Sequence, residues 1–245
     1  MAGPLLEVED LSKRFGGFVA LDGISLSVDA GERVGLIGPN GSGKSTLVNC
    51  LCGTLHNETG TVKFEGMPLG GLSAHQRTRL GMSRSFQLPR PFFSMTLADN
   101  LRIPLIYAAS ARSGTHLSAS EIEARAAELL GMVGLAGKVR RRPRDLSQVE
   151  MRKLELARAM AAQPKLLIAD EAMAGLSRSE IDEILALLMR LNQQGITIVL
   201  IEHIMSAVMS FSQRLLVLVS GKKIADGLPQ QVVQDPEVVR AYVGE

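Results

Sequence analysis

The chain has 245 residues, 46% hydrophobic and 21% charged, enough for one large domain with a sizeable core. Its net charge of only +2 provides no global field that would demand nucleic acid or an anionic membrane surface. Cys50 and Cys52 have no second pair to complete a zinc site, so they read as two small buried residues of a reduced cytosolic protein.

Residues 1–15 show no basic segment followed by an apolar one, and no secretory signal is expected. Residues 5–10 and 24–28 read as strands; in the second, Ile24, Leu26 and Val28 alternate with serines, as on a half-buried sheet. Asp29-Ala30-Gly31-Glu32 forms a turn, residues 33–37 a short apolar strand, and a glycine-rich loop leads into a helix over 45–51. Val62 and Phe64 alternate again and predict a further strand.

From about residue 89 to 143 the pattern predicts helices and loops without strands. Ser118 and Glu121 have capping-box spacing, followed by Ile122, Ala126, Leu129, Leu130 and Val133 at helical intervals, with Gly134 closing the run. The last block alternates. Residues 166–169 form a continuous apolar run suited to a strand buried on both faces. An amphipathic helix covers 181–191, a second buried strand 197–201, and a hairpin over 214–226 turns at Ser220-Gly221. Strands alternating with helices imply a parallel sheet. The longest apolar stretches are about a quarter of a bilayer span, so any membrane role would come through a partner.

Gly38-Pro39-Asn40-Gly41-Ser42-Gly43-Lys44-Ser45 has the G-x-x-x-x-G-K-[ST] spacing and sits between a predicted strand and a predicted helix, with Thr46 following. Glycines allow the backbone to curl so that several N–H groups face one anion, and the helix N-terminus adds its positive end. Lys44 suits the β- and γ-phosphates, and the Ser45 hydroxyl suits a magnesium ion. Asp170 and Glu171 end the apolar run that starts at Leu166, an expensive place for idle charge. Ligands gather at the carboxyl ends of parallel strands, so Asp170 is expected to help hold the metal and Glu171 to polarise the attacking water.

These residues resemble the ABC transporter ATPase family along essentially the whole chain. The resemblance implies an α/β P-loop NTPase (RecA-like) lobe with antiparallel β elements and a helical subdomain of about 89–145, within a single domain over 1–245. It puts Phe15 against adenine and makes Gln87, in Ser85-Phe86-Gln87, a Q-loop ligand linking metal and water. Leu146-Ser147 opens the signature stretch, Ala174-Gly175-Leu176-Ser177 fills the D-loop, and His203 stands at the γ-phosphate switch. ATP and Mg²⁺ are the implied cofactors.

A narrower resemblance rests on Arg14-Phe15-Gly16-Gly17, Val48-Asn49-Cys50, Ile201-Glu202-His203-Ile204-Met205 and the ending Val239-Arg240-Ala241-Tyr242-Val243-Gly244-Glu245. It points to an ATPase subunit of importers for branched-chain amino acids, or for urea and amides. The implied partners are a second, different ATPase cassette, membrane permease subunits and, indirectly, a periplasmic solute-binding protein, at the cytoplasmic face of the membrane. A lipopolysaccharide-export motor and a regulatory cassette with weak ATPase activity are the alternatives.

The signature departs from the family's Leu-Ser-Gly-Gly-Gln. Here it reads Leu146-Ser147-Gln148-Val149-Glu150. A β-branched Val149 is expected to hinder close backbone approach, and the Glu150 carboxylate to repel a nearby phosphate. An asymmetric pair is expected, with this chain's own site complete if a partner supplies an intact signature and the site finished by its own signature impaired; the alternative is that the backbone tolerates the change and the departure is neutral. Ala172 and Ser177 also replace the usual residues of the family there. The basic run from Lys138 to Arg144 reads as a solvated face, because no aromatic residues interleave it. His56, His75 and His116 read as surface residues.

Overall fold

The computed structural model describes residues 3–85, 90–109, 114 and 117–243. Two sheets share the chain. β1 (Leu6–Phe15), β2 (Phe18–Val28), β4 (Thr59–Phe64) and β5 (Met67–Pro68) form an antiparallel sheet in the order β2-β1-β4-β5. The larger sheet contains β3 (Arg33–Ile37), β6 (Met82–Ser85), β7 (Leu166–Asp170), β8 (Thr197–Ile201), β9 (Arg214–Val219) and β10 (Lys222–Gly227), in the order β10-β9-β3-β8-β7-β6. Its strands run parallel from β9 to β6, and β10 returns antiparallel to β9.

The continuous apolar runs have a direct cause in this layering. Leu166 and Ile168 of β7 enter a core shared with the antiparallel sheet and with α1 (Lys44–Cys52), while Leu167 and Ala169 enter a second core on the opposite face. β8 divides the same way, Val199 and Ile201 to one side and Ile198 and Leu200 to the other. Alternate side chains point to opposite faces, so a strand sandwiched by two cores shows no polar alternation.

The second core is helical. α3 (Leu97–Pro104), α4 (Ala119–Met132), α5 (Gln148–Ala161) and α6 (Arg178–Gln193) converge on it, after α2 (Ala74–Leu80) on the other side of the sheet. The predicted Ser118–Glu121 capping box is present: Ser118 Oγ accepts from the Glu121 N–H, and Glu121 Oε2 accepts from the Ser118 N–H at 2.8 Å. Short helices α7 (Met205–Phe211), α8 (Pro229–Val232) and α9 (Pro236–Val243) finish the chain, with Val208, Val232 and Val238 packed around Ile37 and Val217.

Four elements differ from the sequence reading. β1 and β2 are longer than predicted, pairing as far as Phe15 with Phe18. α5 was not anticipated as a buried helix because it carries Arg152, Lys153 and Glu155 inside. β6 was missed altogether. Met82-Ser83-Arg84-Ser85 shows no apolar alternation, yet it pairs in parallel with β7, Met82 opposite Leu166. Among the described residues, no helix is long and apolar enough to cross a membrane.

Candidate nucleotide site

The phosphate loop joins β3 to α1. Its glycines are constrained by the backbone around them. Gly38 has φ +151°, and a Cβ there would stand 2.1 Å from the Leu218 carbonyl oxygen. Gly43, at φ +105°, caps α1 and would bring a Cβ to 2.7 Å from the Ala20 carbonyl oxygen. Asn40, Gly41 and Ser42 form the crest between them, and the Ser42 N–H donates to the Pro39 carbonyl at 3.2 Å. Lys44 is buried under the loop, donating to the carbonyls of Gly38 (2.7 Å) and Pro39 (3.0 Å). Burial pushes its ammonium pKa down, while the Glu171 and Asp170 carboxylates push it up.

The N-terminus of α1 has no side-chain cap and no acidic residue in its first turn. Its first N–H groups therefore keep their positive end for an external anion. Ser45 and Thr46 stand in that turn.

Across the site, Asp170 ends β7 and is 6% exposed. Its Oδ2 accepts from Arg84 Nη2 at 2.6 Å, and Arg84 Nη1 donates to Asn49 Oδ1 of α1 at 2.7 Å. Arg84 lay on the strand the sequence reading missed, so this ion pair was missed with it. Glu171 follows with φ +46°, a left-handed backbone unusual for a residue with a long side chain. Its N–H donates to the Ile201 carbonyl at 2.9 Å, which fixes the turn against β8. Its Oε1 lies 2.9 Å from His203 Nε2. The structure thus brings together two residues 32 positions apart that sequence position alone had suggested.

Glu202 is a further acid that sequence reasoning passed over. It is 3% exposed and accepts the Met173 N–H at 2.8 Å. Burial pushes its carboxyl pKa up, against the opposing pull of the Met173 and His203 N–H groups. It ties the segment after Glu171 to the segment carrying His203. Its position just beyond an apolar strand was the signal available.

Phe15 is 50% exposed with Lys13 Nζ 5.5 Å from its ring centroid, so it is no core residue. Gln87 lies outside the described residues. His56 and His75 are exposed, and His116 lies outside the described residues. Cys50 is buried, whereas Cys52 is only partly so by surface area; burial around its sulfur pushes that thiol up to about 11.

The signature end corrects one expectation. Ser147 caps α5, and its Oγ accepts from the Glu150 N–H. Glu150, the carboxylate expected to repel a nearby phosphate, is paired within the chain: Oε2 accepts the Ser147 N–H at 3.0 Å and Oε1 accepts from Lys138 Nζ at 2.6 Å. These bonds hold its pKa below the usual carboxylate range, Lys138 first. Lys138 therefore does more than coat a solvated face. Val149 leans against the helical core, and Gln148 Nε2 donates to the Ala174 carbonyl of the D-loop at 3.3 Å.

Matches to known proteins show the family. The family model described as ABC transporter matches residues 21–174, and the model for branched-chain amino acid ATP-binding cassette transporters matches 222–245. The chain belongs to the ABC transporter ATP-binding family. The high-affinity branched-chain amino acid transport ATP-binding protein BraF of Pseudomonas aeruginosa is 38% identical to this cassette over 254 aligned residues, covering 100% of both chains. Among solved structures, a nucleotide-free ATP-binding cassette from an ABC transporter superposes with a TM-score of 0.89 at 33% identity, covering 99% of this cassette and 100% of that chain. A cassette in its ADP conformation gives 0.88, again at 33% identity and with the same coverage.

The donor set suits a magnesium ion. The Ser45 hydroxyl and the Asp170 carboxylate are hard oxygen donors of the kind that ion takes.

Proposed function

We propose that this cassette hydrolyses ATP to drive a membrane importer for branched-chain amino acids or related small polar solutes. One observation carries the reading: an uncapped, acid-free helix N-terminus behind a phosphate loop, facing a carboxylate already hydrogen-bonded to a histidine. The solute class rests on the likeness to BraF and on the tail model matching 222–245.

The residues divide the work. The loop from Gly38 to Thr46 binds the phosphates, with Lys44 and the first N–H groups of α1 offsetting their charge. Phe15 stacks on the adenine. Ser45 and Asp170, with Gln87, are the residues to hold magnesium, which supplies charge neutralisation at the β- and γ-phosphates when bound. Glu171 orients the attacking water and accepts its proton. His203 fixes the Glu171 carboxylate through the 2.9 Å contact and lies beside the γ-phosphate. The chain acts as one cassette domain with a helical subdomain over about 89–145, at the cytoplasmic face of the membrane. Its partners are a second cassette, different in sequence, and permease subunits served by a periplasmic binding protein.

The signature geometry supports an asymmetric pair. Ser147, Gln148 and Glu150 spend their hydrogen bonds within the chain, while this chain's Lys44–Glu171–His203 site is complete if the partner cassette supplies an intact signature. The test is ATP turnover by the chain alone and by the chain assembled with its membrane subunits and second cassette, with Glu171→Gln as control. Turnover confined to the complex and lost with Glu171→Gln is expected. Substantial Glu171-dependent turnover by the chain alone would remove the asymmetry.

A further inference from the structure

The pair formed by Arg84 and Asp170 raises a question that phosphate binding does not answer. At the inner end of the site Lys44 and Arg84 face Asp170 and Glu171, and Arg152 and Glu202 also act on Glu171. Arg84 is not a surface partner. Its side chain is 15% exposed and that of Asp170 9%, at 2.6 Å. The guanidinium is fixed on a second side by Asn49 of α1, so it spans the helix that follows the phosphate loop and the strand that ends in Asp170. Such a pair is held by geometry and by the cost of leaving either charge buried alone.

A divalent cation approaching Asp170 without nucleotide meets a carboxylate whose charge is already matched and a lysine close by. To be held there it must compete with a guanidinium already seated on the carboxylate. When nucleotide enters, its phosphates add several negative charges and outweigh Arg84. We propose that Arg84 is an internal counter-ion for Asp170 that makes divalent-metal capture conditional on bound nucleotide. Arg84 acts through Asp170 and is a positioning residue, not a catalytic one. The inference rests on Asp170 being the metal-side carboxylate of the function proposed above.

The test uses Mn²⁺ alone as the probe, with binding followed by electron paramagnetic resonance and by the thermal unfolding midpoint of the chain. Wild-type chain is expected to bind Mn²⁺ only when a non-hydrolysable ATP analogue is present. Arg84→Gln is expected to bind Mn²⁺ without nucleotide, at least about tenfold more tightly than wild type, because the cation competing for Asp170 is gone. Its unfolding midpoint should rise with Mn²⁺ while that of wild type stays level, since a cation that binds only the folded state stabilises it. Arg84→Lys keeps the charge and is expected to behave as wild type, which separates charge from bonding geometry. Arg84→Gln/Asp170→Asn is expected to lose the nucleotide-free binding again. If Arg84→Gln folds poorly, Mn²⁺ should rescue its folding and buffer free of divalent metal should not. Arg84→Gln that ignores Mn²⁺ without nucleotide, or Arg84→Lys that gains it equally, overturns the counter-ion role. A wild-type chain that binds the analogue yet never binds Mn²⁺ sinks the assignment of Asp170 instead.

Discussion

Two helix N-termini in this molecule face opposite tasks, and the chain finishes one while leaving the other open. α1 begins at Gly43 with no side-chain cap and no acid in its first turn. α5 begins at Ser147 with a full capping box, an acid at its third position and Lys138 behind that acid. In physical terms α1 keeps its positive end for a visitor, whereas α5 has already neutralised its own. A motif that resembles an anion cradle by its place in the sequence can thus be a self-satisfied helix start. What decides is where its N–H groups and carboxylates find partners.

The strongest way to break this contrast is at the open site. Glu171→Gln is expected to lower turnover of the assembled complex by roughly 10²–10⁴-fold, the usual worth of a general base, while ATP binding persists; a filter-binding assay beside the turnover assay separates the two. Lys44→Ala should weaken ATP binding by roughly 10–100-fold, the worth of about 1.5–3 kcal/mol for a hydrogen bond to a charged group, measured by titration of a fluorescent ATP analogue. At the closed site, Val149→Gly with Glu150→Gln should sharpen the comparison. If self-satisfaction is what silences α5, the double variant raises turnover of the complex severalfold; unchanged turnover would leave the contrast without functional weight.

A pH experiment reads the same helix. Glu150 has a folded pKa below its unfolded one, so its contribution to stability is full above the unfolded value and is lost as pH falls through the folded one. Acid titration of the unfolding midpoint should show a loss in wild type that Glu150→Gln reduces. At neutral pH that substitution should cost about 1 kcal/mol, as caps commonly do. The smallest effect is expected at the hairpin of the antiparallel sheet. Phe15→Ala should weaken ATP binding by about 1 kcal/mol, near the lower end for stacking on a base, with little change in stability because the ring is half exposed.

How much of this was legible in the sequence follows from where each signal lives. The phosphate loop, β7 and its two acids were readable because each is contiguous, an apolar run ending in chemistry. The layering of β7 and β8 between two cores is written in their unbroken apolar runs. The Arg84–Asp170 pair was not readable, since a four-residue strand of Met82, Ser83, Arg84 and Ser85 has no period, and the pair spans 86 positions. The burial of α5 was disguised by Arg152, Lys153 and Glu155, whose charges are accommodated by tertiary contacts that composition does not reveal. The Ser147–Glu150 cap was visible in principle as Ser-x-x-Glu. Read only as a departure from a family motif, its own local logic was overlooked, and so was the use of Lys138.

The left-handed backbone of Glu171 carries one further consequence. At φ +46° a glycine or an asparagine would sit more easily than a glutamate, and neither would crowd another carboxylate beside Asp170. The chain keeps the costlier residue at the point where, in the function proposed above, water is activated. Stability and activity pull in opposite directions at this single position. Selection for a tougher protein would therefore tend to erase its catalysis there first, leaving a sturdier cassette that still binds nucleotide but no longer turns over.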